Sequence, residues 1–196
     1  GEQKLFNCGY LFLQKIYYQL ELNKICREIS SRHSFEYDLN DLLSKLIYTR
    51  ILFPSSKLSS NKQARKLIEQ PSFALHDIYR ALSVLAEEND FIQAQLYKNS
   101  QRVIERRKDI LYYDCTNYFF ELEEADELRR YGKSKQHQPL PIVGMGLFMD
   151  YDGIPLAFDI YPGNKNEQPT LKPLEKKVIR DYGMDQIVVC TDAGLS

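Results

Sequence analysis

The stretch that most constrains this chain is Ile110 to Phe120, ILYYDCTNYFF, because it sets one carboxylate, Asp114, between an apolar run and the small polar residues Cys115, Thr116 and Asn117. Ile110-Leu111-Tyr112-Tyr113 read as a strand buried on both faces, and Asp114 closes that run. A charged side chain is rarely buried unless it is paired or binds a metal. The arrangement recurs at Gln186 to Thr191, QIVVCT, a β-branched run that delivers Asp192 before Ala193-Gly194. Two strands that each end in an acid are thus the leading candidate for a functional site.

Before Arg107 the apolar spacing is helical. Residues 4–22 place Leu5, Tyr10, Leu13, Ile16, Tyr17 and Leu20 at helical intervals, and Asn23 is positioned to cap a second short helix. Residues 39–53 predict an amphipathic helix stopped by Pro54. The Ser-rich stretch Ser55 to Ser60 leads to a short basic helix, NKQARKLIE, and longer helices follow over His76–Glu88 and Phe91–Arg107. Arg102, Arg106, Arg107 and Lys108 crowd the end of the last one, where cations complement the helix macrodipole; phosphate contact is the competing reading. No recognition helix stands out.

After Arg107 the period becomes that of strands. Ile110–Thr116 is followed by an acidic and then basic insert, ELEEADELRRYGKSKQHQP. A hairpin comes next, Ile142 to Met149 and Ile154 to Tyr161, turned by Asp150-Tyr151-Asp152-Gly153. Thr170 to Tyr182 predicts an amphipathic helix closed by Gly183, and the Asp192 strand is last. The fold class expected is therefore α+β: an all-helical N-terminal region, residues 1–108, then a partial ribonuclease-H-like domain, residues 109–196. That domain would hold three antiparallel strands, a helix and a parallel strand. A right-handed crossover returns to the same sheet, so the Asp192 strand should lie beside the Asp114 strand. Ligand sites gather at the carboxyl ends of such strands.

Two facing carboxylates repel unless a cation sits between them, and hard oxygen donors select Mg²⁺ or Mn²⁺. The alternative is structural: Asp114 caps a turn through Thr116 and Asn117, and Asp192 caps the helix or turn after Gly194. Charge agrees weakly with nucleic acid beside a cation site. Residues 1–109 carry 17 Lys+Arg against 13 Asp+Glu, and residues 110–196 carry 9 against 14. Cys8, Cys26, Cys115 and Cys190 form no CxxC pair, which argues against a zinc site or a disulfide framework and for a reducing compartment. Cys115 and Cys190 read as packing residues rather than nucleophiles. Asp150 and Asp152 are explained by the hairpin turn, and Glu121, Glu123, Glu124, Asp126 and Glu127 by a solvated face. No run reaches the ~18 apolar residues of a membrane span. The chain starts at Gly and stops four residues after Asp192, so a fragment of a longer protein is expected.

The segments YYDCTNYFFE, YGKSKQHQP, VGMGLFMDYDGIPLAFDIYPGN and VVCTDAG, in that order and spacing, resemble the IS4-type transposases, in particular the IS1634-like group. RILFPSSKLSS and DIYRALSVLAEE resemble that group's N-terminal region, which implies that residues 1–108 are a helical DNA-binding and assembly region and residues 109–196 a catalytic domain incomplete at its C-terminus. The resemblance implies a DDE transposase with a ribonuclease-H-like catalytic domain and two divalent metals, Mg²⁺ or Mn²⁺. Asp114 matches the first acid and Asp192 the second, as catalytic residues and metal ligands. The third, a glutamate on a later helix, has no counterpart, so these residues alone are expected neither to nick nor to join DNA. The family's G-x-S-K-x-H-R-P segment is matched by Gly132, Ser134, Lys135, His137 and Pro139, with Gln138 in place of the arginine. If that arginine contacts DNA, binding here should be weaker. Arg129, Arg130, Lys133, Lys135 and His137 then become candidates for holding the phosphate backbone, against the simpler reading of a solvated loop. His137 is not preferred as a general base, since metal-bound water needs none. The implied partners are double-stranded DNA, as transposon ends and target, and a second copy in a homodimer of the complete enzyme, cytoplasmic and nucleoid-associated in a prokaryote. Two other functions stay open: a DNA-binding remnant or regulator without catalysis, and a nuclease of the same fold.

Overall fold

The computed structural model describes residues 5–121, 124–132, 139–166, 168–184 and 187–191. The chain divides into two compact units, Gly1–Val103 and Ile104–Ser196.

The first unit holds six helices: α1 (Tyr10–Gln19), α2 (Leu22–Arg32), α3 (Leu39–Leu52), α4 (Lys57–Ala64), α5 (Leu75–Glu87) and α6 (Asn89–Ser100). Local chemistry sets their borders. Glu21 adopts a left-handed backbone, φ 55°, which breaks the run between α1 and α2. The expected cap, Asn23, lies inside α2 instead. Asp38 caps α3 by accepting the Asp41 N–H at 3.0 Å, and Ser56 caps α4 by accepting the Ser59 N–H at 3.2 Å. The Ser-rich stretch is therefore largely helix, and the basic helix begins at Lys57, four residues before the expected Asn61, and ends at Ala64. The last helix ends at Ser100, so Arg102, Arg106, Arg107 and Lys108 are not helical residues. Tyr10, Tyr17, Ile29, Leu39, Leu42 and Ile78 are buried at the centre of this unit. The Tyr48 ring packs 5.4 Å from Tyr10 and meets Tyr17 edge-on at 5.9 Å.

The second unit is a mixed sheet of β1 (Ile110–Phe119), β2 (Ile142–Met149), β3 (Pro155–Pro162) and β4 (Val188–Thr191), with α7 (Gln168–Tyr182) between β3 and β4. The strand order is β3-β2-β1-β4. β1, β2 and β3 pair antiparallel and β4 pairs parallel to β1, as expected of a partial ribonuclease-H-like domain. The β2–β3 turn follows the Asp-Gly signal, with Gly153 at φ 77°. Gly183, at φ 64°, stands just past α7. α7 covers one face of the sheet. Its Leu174 and Val178 are buried, its Thr170 Oγ1 lies 2.7 Å from the Tyr113 hydroxyl, and Tyr182 donates to the Leu156 carbonyl at 3.1 Å. Among the described residues no helix is long and apolar enough to cross a membrane.

Candidate functional site

β1 alternates. Leu111, Tyr113 and Cys115 are buried, while Tyr112 and Asp114 are exposed on the opposite face. Tyr113 fixes the buried side, since its hydroxyl meets Thr170 of α7 and its ring packs 5.0 Å from Phe148. The expectation of a strand buried on both faces is thereby corrected. Its aromatic residues concealed the alternation, because Tyr tolerates a half-exposed position as readily as a buried one. The strand is also three residues longer than expected, so Asp114 sits in its middle, across from Leu147 of β2.

The Asp114 carboxylate faces solvent without needing a buried partner. Its Oδ1 accepts the Cys115 N–H at 2.8 Å. Tyr112 pairs with Cys190 and Tyr113 with Thr191, so the two strands run side by side in the same direction. Asp114 is the next residue in sequence after Tyr113, and Asp192 the next after Thr191. Asp192 itself lies outside the described residues, as do Lys133, Lys135 and His137. Among the described residues no group of three or more His, Cys, Asp and Glu side chains could hold a metal. The donor chemistry of Asp114, an exposed carboxylate, nonetheless suits a hard divalent cation. Cys190 is exposed and free rather than packed, whereas Cys115 is buried with its Sγ 3.3 Å from the Tyr113 hydroxyl.

The insert after β1 returns to the sheet. Arg130 and Ile142 exchange both backbone hydrogen bonds, at 3.0 and 2.8 Å, and the Gly163 N–H donates to Leu128 at 3.2 Å. Ile142 is the register partner of Phe119, so residues 128–130 pair with the start of β2 and the residue after β3, at the end of the sheet toward which β1 runs. Arg129 and Arg130 differ there. Arg129 donates to Asp126 at 2.6 Å and lies 5.7 Å from the Phe120 ring, while the Arg130 side chain is exposed. Asp126 receives the Arg129 backbone N–H and guanidinium, which together hold its carboxyl below the usual range.

No family model and no curated protein matches the chain. Two solved structures of the Mos1 mariner transposase align weakly with the chain. A paired-end complex with the left transposon end aligns over 78% of this chain and 70% of that one, at 11% identity and a TM-score of 0.29. A paired-end complex with Mn aligns over 82% and 73%, at 11% identity and a TM-score of 0.27. Likeness at that level carries no argument about fold or function.

One feature of this unit was not legible from sequence. Arg106 and Asp150 form an ion pair of 2.5 Å, with side chains 3% and 0% exposed. Asp150 also accepts the Asp152 and Ile154 N–H groups at 3.1 and 2.8 Å, which is the turn chemistry expected of it. Its second role went unseen because the pair spans 44 residues of sequence.

Proposed function

We propose that the chain is part of a DDE transposase of the IS4 type, IS1634-like group, in which Asp114 and Asp192 are ligands for a divalent metal. The observation that supports this most directly is the parallel pairing of β1 with β4, in a register that matches the residues just before the two aspartates. The sequence resemblance adds the reaction class. When bound, a pair of Mg²⁺ or Mn²⁺ ions would activate a water or a 3′-hydroxyl and stabilise the leaving oxygen of a phosphodiester. Asp114 supplies a carboxylate free of any cationic side chain among the described residues. Arg130, Lys133, Lys135 and His137 hold the phosphate backbone of double-stranded DNA by charge, with Arg129 as a contributor once released from Asp126. The complete enzyme cleaves at transposon ends and joins the freed 3′-hydroxyl to target DNA, as a homodimer in the cytoplasm. These 196 residues alone bind metal and DNA without nicking or joining, since no residue here matches the third acid.

Calorimetric titration of the whole chain with Mn²⁺, in the absence of DNA, tests the reading. Asp114→Asn and Asp192→Asn should each weaken Mn²⁺ binding by roughly tenfold or more, as expected when a ligating carboxylate is neutralised. Glu124→Gln, at an exposed acid of the insert, should not. Unchanged affinity in both aspartate variants would sink the metal assignment and leave a DNA-binding protein without catalysis.

A further inference from the structure

We infer that the helical unit carries a docking surface for the phosphate backbone of double-stranded nucleic acid, built on α4 and the turn after it. The inference rests on the reading of the chain as a DNA-acting protein and names which part of the helical unit makes contact. Between Asp41 and Glu69 the sequence holds no acid, yet it holds Lys45, Arg50, Lys57, Lys62, Arg65 and Lys66. Lys45 is spent internally on Asp41, with its side chain 6% exposed. Arg50 reaches the Ser55 carbonyl at 3.3 Å. Lys62, Arg65 and Lys66 are exposed, and none of them enters an ion pair among the described residues.

Their direction follows from what is buried beside them. Ala64, the last residue of α4, and Leu67, in the turn after it, are 2% and 1% exposed, so the segment faces inward through those two positions. Lys62, Arg65 and Lys66 are left pointing away from the core. The segment is held in place: the Asn7 N–H donates to the Lys66 carbonyl at 2.8 Å, and Lys66 and Leu67 close turns onto Gln63 and Ala64. Among the described residues neither of the nearest acids in sequence forms an ion pair with these three cations. Asp41 is occupied by Lys45 and Ser72, and Glu69 accepts from the Tyr10 hydroxyl. Elsewhere in the unit, Lys24, Arg32 and Arg102 are each paired with a glutamate. The patch is therefore a concentration of unneutralised charge on a rigid base, the arrangement that attracts a polyanion.

A nucleic-acid backbone fits it better than an anionic membrane. α4 spans eight residues, KLSSNKQA, with Leu58 its one large apolar side chain. It has no apolar face to enter a bilayer, whereas its Ser59, Asn61 and Gln63 are backbone-contacting residue types.

Fluorescence anisotropy of a labelled 25-base-pair duplex of arbitrary sequence, titrated with the full chain over a range of NaCl concentrations, tests this. The triple variant Lys62→Gln, Arg65→Gln, Lys66→Gln should bind roughly tenfold or more weakly, and its log–log salt slope should fall by about 3. The double variant Lys15→Gln, Lys98→Gln, at exposed cations of α1 and α6, should keep the parent slope to within about 1. Equal slopes in the triple variant and the parent overturn the surface, as does a parent that binds no duplex. Tighter binding to phosphatidylserine vesicles than to duplex, lost in the triple variant, overturns the choice of partner. The Mn²⁺ titration reads Asp114 and Asp192 without DNA, so failure here is distinguishable from failure of the metal assignment.

Discussion

Arg106 and Arg107 are neighbours with opposite energetic weight. The Arg106 guanidinium is 3% exposed, pairs with Asp150 and donates to the Ile154 and Pro155 carbonyls at 3.2 and 3.0 Å. Arg107 is 47% exposed, lies 3.7 Å from Asp152 and stacks 3.5 Å from the Tyr151 ring centroid. Removing one partner of a buried pair strands the other charge, so Arg106→Met should cost about 3–5 kcal/mol. Arg107→Met removes a solvent-screened pair and a surface cation–π contact, which together are worth about 1 kcal/mol. Urea unfolding followed by circular dichroism compares the two, and equal costs would mean that the Arg106 pair is not sequestered as described. Gly144 offers a second comparison. A Cβ there would lie 2.1 Å from the buried Tyr161 ring, its register partner on β3. Gly144→Ala should cost about 1–3 kcal/mol by overpacking. Adding Tyr161→Leu should recover part of that loss. If the double variant were as unstable as the sum of the two single changes, steric contact could not be the cause.

Among the elements, α3 has a pH-sensitive tie. Asp41, in its first turn, accepts from Lys45 and from both the N–H and hydroxyl of Ser72 at 2.8 Å. Burial raises its pKa, but the hydrogen bonds from Lys45 and Ser72 outweigh burial and leave it below the ordinary aspartate value. A depressed pKa in the folded state stabilises above the unfolded value of about 3.9 and is lost as pH falls through the folded value. Stability of the parent should therefore drop below about pH 4 more steeply than that of Asp41→Asn, in thermal melts between about pH 2 and 6. Parallel profiles would remove Asp41 from the account. The elements also show what sequence could reveal. The β2–β3 hairpin was legible because Asp152-Gly153 forces a tight turn between apolar runs, and the parallel placement of β4 because a helical crossover returns to its sheet. The start of α4 was not, since serine favours both linkers and helix caps and only the Ser56–Ser59 bond decides between them. Asp114 was legible as the distinctive residue of β1. Its exposure was not, because tyrosines occupy both faces of that strand.

At the scale of the whole molecule, the division at Val103 separates two cores and two kinds of charge. The helical unit buries Tyr10, Ile29, Leu42 and Ile78 among its own helices, and the second unit buries Leu111, Phe148, Leu174 and Val178 between its sheet and α7. Each has its own apolar interior, which is the requirement for folding alone. Residues 1–103 carry 14 Lys+Arg against 11 Asp+Glu, and residues 104–196 carry 12 against 16. Separating the halves should therefore separate the functions. Residues 1–103 expressed alone should give a helical circular dichroism spectrum, a cooperative melt and salt-dependent duplex binding carried by Lys62, Arg65 and Lys66. Mn²⁺ should produce no heat with that fragment, since both proposed ligands lie in the other unit. A fragment that stays unfolded would show that its core depends on the second unit. One that folds and binds Mn²⁺ as the whole chain does would move the metal site away from Asp114.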